Sequence, residues 1–185
     1  MKTKIENIMR YALLAIFGVL SFSLSAQISS THMGITLEKT TKAQAVATLK
    51  AKGLIVENMD DGGIEAHKKN DADIAYGGAG WESIRVGFVH GKASDFVFFL
   101  SEESDSVSTL RIFLELAQNL GTKYQDFFKN GDVETEDSKF AVFDDGKTTI
   151  YLGYEEKDYE GSSVGLVYGS DALQEQKEKD EYNQL

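Results

Sequence analysis

The sequence contains no cysteine. Disulfides, thiol chemistry, thiolate metal sites and the lipidated cysteine of a bacterial lipoprotein are therefore all excluded, and the core alone must stabilise the chain. Arginine is scarce: beyond residue 26 only Arg85 and Arg111 occur, which leaves little to grip an anionic ligand. The three histidines, His32, His67 and His90, form no i, i+4 pair and no His-Glu-x-x-His, so they nominate no metal site. Gly-x-Ser-x-Gly is missing, and no base stands beside a nucleophile, so no catalytic residue is nominated either. Gly77-Gly78-Ala79-Gly80 has neither the Lys-Ser/Thr ending of a P-loop nor the strand-to-helix setting of a dinucleotide fingerprint. It reads as a flexible joint, and no cofactor is expected.

What is present begins with an export signal. Lys2, Lys4 and Arg10 form a basic leader, Tyr11 to Leu24 is almost wholly apolar, and Ser25-Ala26 closes the run with small residues. The apolar run is shorter than the roughly 20 residues a spanning helix needs. Cleavage after Ala26 is expected, with cleavage after Ser25 as the second choice. No later apolar stretch could hold the chain in a membrane, so a periplasmic or secreted protein is expected. Residues 1–26 hold three of the basic residues and Glu6, which leaves 16 basic against 29 acidic residues, a net charge of −13. That charge repels nucleic acid and anionic lipid, and it serves as a solubility coat or as a face for a basic partner.

The remaining chain is long enough for one domain, burying about 70 % of its unfolded surface, and its patterning predicts an α+β fold with helices packed on an antiparallel meander over residues 27–170. Thr41-Lys42-Ala43-Gln44 fits a capping box, Ala43, Val46, Ala47 and Leu49 supply an apolar stripe, and Gly53 stops the helix. Leu54-Ile55-Val56, an Asp60-Asp61-Gly62-Gly63 turn and Ile64 to His67 read as a hairpin, and Asp73 to Tyr76 is a further candidate strand. Trp81 to Val89 and Phe96 to Leu100 read as strands joined by a loop from His90 to Ser94. Val107, Leu110, Phe113, Leu114, Ala117, Leu120, Tyr124 and Phe128 recur at helical steps up to Asn130-Gly131. Strand signals return over Asp132–Thr135, Phe140–Phe143, Thr148–Tyr154 and Val164–Tyr168, with turns at Asp144-Asp145-Gly146 and Tyr159-Glu160-Gly161. Residues 171–185 form a polar tail, read as a frayed helix or a disordered end. The succession of helix and strands occurs twice, over 34–100 and 104–170: Val46 falls opposite Phe113, Val86 opposite Leu152, and Val97 opposite Leu166.

The stretch Gly34-Ile35-Thr36-Leu37-x-x-Thr40-Thr41-x-x-Gln44-Ala45-x-x-x-Leu49-Lys50-x-Lys52-Gly53, followed by hairpin strands, resembles the opening of small exported bacterial domains with the fold of β-lactamase inhibitor proteins. Envelope lipoproteins of the outer-membrane assembly machinery share that layout, and a signal ending in Ala26-Gln27 looks like those of the Bacteroides group. The resemblance implies a non-catalytic module that binds another protein in the envelope or extracellular space. The chain departs from the lipoprotein members by lacking their cysteine, and from the inhibitor members by lacking any disulfide. No binding residue carries over, since fold alone does not assign function.

Loop carboxylates in Asp60-Asp61-Gly62, Asp71-x-Asp73 and Asp144-Asp145-Gly146 are the oxygen ligands that calcium would need, without the twelve-residue EF-hand loop. Turn formation accounts for them. The alternative function is an exported hydrolase or carbohydrate-active protein whose site is assembled from such carboxylates. Aromatic residues carry the main binding signal, because they dominate interface hot spots. Phe98 and Phe99 are sequence neighbours, so one of them leaves the core unless both sheet faces are covered, and Tyr151 and Tyr154 raise the same question. Trp81, Tyr76 and Tyr154 are the candidate partner-binding residues.

Overall fold

Strand periodicity and short turns build most of this molecule. A computed structural model describes residues 27–69, 72–102, 106–132, 138–157 and 161–182. The expected export signal, Asp71, Thr135 and Tyr159-Glu160 lie outside the described residues. The chain runs β1 (Thr31–His32), β2 (Ile35–Thr36), α1 (Lys42–Ala51), β3 (Ile55–Asn58), β4 (Ile64–His67), β5 (Ile74–Tyr76), β6 (Ala79–Trp81), β7 (Ser83–Val89), β8 (Lys92–Glu102), α2 (Ser106–Lys123), a 3-10 turn (Gln125–Phe127), β9 (Phe128–Asp132), β10 (Ser138–Asp144), β11 (Thr148–Lys157), β12 (Gly161–Ser170) and α3 (Asp171–Tyr182). This is an α+β fold.

Eight strands form one antiparallel sheet in the order β3-β4-β7-β8-β12-β11-β10-β9. Each half of that order is a helix followed by four strands, with β8 and β12 paired at the centre. The β5–β6 hairpin is an insertion in the first half only. Val86 and Leu152 occupy equivalent strands and both point into the core. Val97 and Leu166 do not match: Leu166 is buried, whereas Val97 points the other way, and the residue opposite Leu166 is Phe98. In a strand a one-residue offset inverts the facing.

α1 starts on the capping box that the sequence encodes. Thr41 N donates to Gln44 Oε1 at 2.9 Å, and Gln44 N donates to Thr41 Oγ1 at 3.4 Å. Its end is a Schellman motif: Gly53 N donates to Lys50 O and Leu54 N to Leu49 O, while Leu49 and Leu54 are both buried. The buried stripe is Ala45 and Leu49 with Val46 beside them, whereas Ala43 and Ala47 are exposed. In α2 the residues facing the sheet are Phe113, Leu116 and Leu120, and Leu114 faces solvent at 55 % exposure. α2 ends at Lys123. The apolar pattern beyond it belongs to the 3-10 turn and β9, because an extended strand and a helix can both place an apolar residue four positions on.

Among the described residues three tight turns are two residues long, Met33-Gly34, Gly77-Gly78 and His90-Gly91, as the pairings His32 to Ile35, Tyr76 to Ala79 and Val89 to Lys92 require. In each, both residues have positive φ, the signature of the I′ turn whose twist matches the flanking strands. The glycine-rich stretch is thus a hairpin turn rather than a flexible joint. Glu82 follows β6 as a bend and donates its N–H to Phe99 O at 3.0 Å, so Trp81 belongs to a different strand from Ser83–Val89.

α1 and α2 cover one face of the sheet. Beneath them lie Ile64, Ala66, Ile84, Val86, Phe96, Phe98, Ile150, Leu152, Val164 and Leu166, all buried, in one continuous core. Each fully buried Val, Leu, Ile or Phe side chain among them contributes about 1.5–3 kcal/mol. Of the two readings of the polar tail the helical one holds: Asp171–Tyr182 is a helix with no buried residue, and it lies across one end of the other face. Polar contacts hold it there: Thr149 Oγ1 donates to Asp171 Oδ1 (2.7 Å), Gln174 Nε2 to Asp95 Oδ2 (3.4 Å), and His90 Nε2 lies 2.9 Å from Asp180 Oδ2.

Candidate functional site

Residues paired across an antiparallel ladder share a face, so the register maps the open side of the sheet. One row reads Ser83, Phe99, Gly165, Gly153, Phe140, and the next reads Arg85, Val97, Val167, Tyr151, Val142. A third, Gly87, Asp95, Gly169, Thr149, Asp144, runs by the end where α3 makes its contacts. Glycine at 165 and 153 leaves the middle of the first row without side chains. A Cβ at Gly153 would come within 2.8 Å of Tyr151 Cε1, because the Tyr151 ring lies down over that glycine. Phe140 stacks on Tyr151, with centroids 6.0 Å apart and planes 12° apart. Above Gly165 the space is open.

The result is a hollow of about 420 Å³ between Phe99 on one side and Tyr151 and Phe140 on the other, floored by Gly165 and Gly153. Phe99 is 40 % exposed and Tyr151 44 %. Lys139, Glu155, Ser138 and Ser163 edge it. Neighbouring valines 97, 167 and 142 extend the apolar surface along the sheet. Toward β4, Arg85 forms an ion pair with Asp61, whose carboxyl is held below the usual carboxylate range first by the Gly63 N–H and then by that guanidinium.

Of the aromatic residues nominated from sequence, Tyr154 is among those lining this hollow, whereas Trp81 and Tyr76 stand elsewhere. Trp81 is fully buried, and its Nε1 donates to Tyr76 O at 2.9 Å. Tyr154 is buried on the covered face, with its hydroxyl donating to Glu156 Oε2 at 3.0 Å. Trp81 cannot meet a partner without opening the core, whereas Tyr154, though buried, borders the hollow. Tyr76 is half-buried, stacks on Phe98 at 4.0 Å and 13°, and lies 2.6 Å from His32 Nδ1 through its hydroxyl. Of each questioned pair one member does face outward: Phe98 is buried and Phe99 exposed, Tyr154 buried and Tyr151 exposed. Tyr154 keeps phase with Ile150 and Leu152, a signal the sequence carries. Trp81 carries no such signal, because the bend at Glu82 breaks its phase with β7.

His32, read as an ordinary histidine, sits in the most aromatic part of the core. Its ring lies 3.7 Å from that of Tyr168 and 5.9 Å from that of Phe96. Burial lowers its pKa to about 4, the Ser29 carbonyl opposing and Lys123 adding to the effect. His67 is half-buried, and His90 pairs with Asp180 on the surface. Among the described residues no three His, Cys, Asp or Glu side chains gather as a metal centre would require.

Three of the loop carboxylates, those of Asp61, Asp144 and Asp145, are engaged in turns. Asp61 Oδ1 accepts from Gly63 N, Asp144 Oδ1 from Gly146 N, and Asp145 Oδ1 from Lys147 N and Thr148 N, while Asp145 Oδ2 accepts from Ile28 N. Asp171, near Asp144 and Asp145, has a raised pKa, chiefly from burial and against the pull of the Thr149 hydroxyl. It occupies the first turn of α3, where carboxylates stabilise helices. Comparison of the chain with protein-family models, with curated proteins and with solved structures gives no match.

Proposed function

We propose that this chain is an exported, non-catalytic protein-binding module of the bacterial envelope, engaging its partner through the open face of the sheet. The observation that carries the reading is the hollow between Phe99 and the Tyr151–Phe140 pair over Gly165. Exposed aromatics around a depression supply the large, rigid contact area on which interface hot spots are built. The glycine floor adds shape, admitting one apolar side chain of a partner. An acidic chain of net charge −11 favours a partner surface that is neutral or basic around that side chain. The export signal expected over residues 1–26 supports an encounter in the periplasm or outside the cell. Turn bonding of the Asp61, Asp144 and Asp145 oxygens weighs against the hydrolase alternative, which needs carboxylates free to face a substrate across a cleft.

A photo-crosslinking amino acid at position 99, compared with one at the exposed helix position 114, tests the reading in envelope extract. A discrete adduct from position 99 alone, lost when Tyr151 and Phe140 are both changed to serine in a protein that still melts cooperatively, is the expected result. Equal adducts from both positions, or none from position 99, would overturn it.

A further inference from the structure

On the opposite side of the sheet, the C-terminal end of α2 and the β5–β6 hairpin enclose a second cavity of about 320 Å³. Its walls are aromatic and aliphatic, from Tyr76, Tyr124, Tyr168, Leu116 and Leu166. Lys123 and Asn119, both exposed, add an ammonium and an amide, and none of the described residues that line the cavity is acidic. In a chain with 30 acidic and 19 basic residues, a cavity with one cation and no carboxylate runs against the average. The Lys123 ammonium lies 4.8 Å from the centre of the Tyr124 ring.

The phenols are ordered from behind. Tyr76 is held by its stacking on Phe98 and by its hydroxyl contact with His32 Nδ1, and the Tyr168 ring lies against the His32 imidazole. Burial raises the pKa of both hydroxyls, so they stay protonated at neutral pH. A preformed apolar pocket with a few fixed polar groups is the usual form of a small-molecule site, and this volume lies at the small end of the ordinary range of about 300–1,000 Å³.

We propose that this cavity binds a small organic carboxylate with a flat apolar body, the ring or chain lying among Leu116, Leu166 and the tyrosine rings and the carboxylate meeting Lys123 and Asn119. The site is independent of the open sheet face, because the residues of the two sides belong to opposite phases of the same strands.

The chain's single tryptophan supplies the readout. Trp81 is buried and donates to Tyr76 O, so occupancy against Tyr76 alters its emission. Benzoate is the probe, with benzylamine as the cationic control and benzamide as the neutral one. The expected result is a saturable change with benzoate, weaker binding of benzamide, no saturation with benzylamine, and about a tenfold rise in the benzoate Kd in Lys123→Met, the loss of roughly one charge-assisted contact. Methyl NMR of the leucines and valines locates the probe: shifts at Leu116, Leu120 and Leu166 support the assignment. Shifts confined to Val97 and Val167 on the open face would overturn it. So would benzylamine matching benzoate, an unchanged Kd in Lys123→Met, or no saturable response in either measurement.

Discussion

The two faces of the eight-stranded sheet are made from the same strands, often from adjacent residues, and yet they have opposite characters. Phe98 and Phe99 differ by one position, and one is fully buried while the other is 40 % exposed. On the covered face large side chains meet in every row, with Phe96, Phe98, Leu166, Leu152 and Ile150 packed under the helices. On the open face glycines alternate with aromatics and valines, and the one helix among the described residues that reaches it, α3, buries none of its own residues. Large side chains in every row make a core; large side chains separated by glycines make a surface with relief. Stability therefore belongs to one face, and recognition of a protein partner, on our reading, to the other.

Substitution of the neighbouring phenylalanines gives the sharpest test of that division. Phe98→Ala should cost about 3–5 kcal/mol through lost burial and an unfilled cavity. Phe99→Ala should cost under about 1 kcal/mol, as surface changes do. Urea denaturation of both variants measures the difference, and comparable losses would show that the open face is part of the core.

A pH series probes the covered face a second way. The native-state pKa of His32 is about 4 against 6.5 unperturbed, so between those values the unfolded chain binds more protons than the folded one. Stability contributed by the neutral imidazole is complete above about pH 6.5 and is lost as the pH falls toward 4, about 3 kcal/mol over the whole window. His32→Leu should remove that part of the pH dependence. Its stability relative to the parent protein should therefore rise by about 2 kcal/mol between pH 7.5 and pH 5. Parallel stability curves for the two proteins would contradict the buried, neutral assignment.

Smaller effects are expected away from both faces. Thr41→Ala removes the side-chain half of the α1 capping box and should cost about 0.5–2 kcal/mol in the same denaturation assay. His90→Asn places a residue tolerant of positive φ at the first position of the β7–β8 turn while giving up a solvent-exposed contact with Asp180. The net change should stay within about 0.5 kcal/mol. A larger loss would mean that the His90–Asp180 contact is what holds α3 on the open face.

Much of this was written locally. Thr41 and Gln44 specify the start of α1, Gly53 its end, and the alternation of Ile150, Leu152 and Tyr154 assigns their facing in β11. The hairpin from Ile55 to His67 follows from its apolar runs and the Asp-Gly turn. The β1–β2 hairpin was not legible, because two strands of two residues give no period to read, and that hairpin is what carries His32 into the aromatic core. Trp81 was misplaced for a related reason: nothing in Trp81-Glu82-Ser83 announces the bend that separates β6 from β7.

The sequence by itself determined the class of fold, the phase of the long strands and the caps and turns between them, since those depend on neighbours a few residues apart. Which phase is covered and which is left open was decided by tertiary structure alone. Both phases of β8 and β12 contain apolar residues, so the choice rests on where α1 and α2 dock. The hollow over Gly165 and the cavity beside Lys123 exist only once strands and helices far apart in the chain have been brought together.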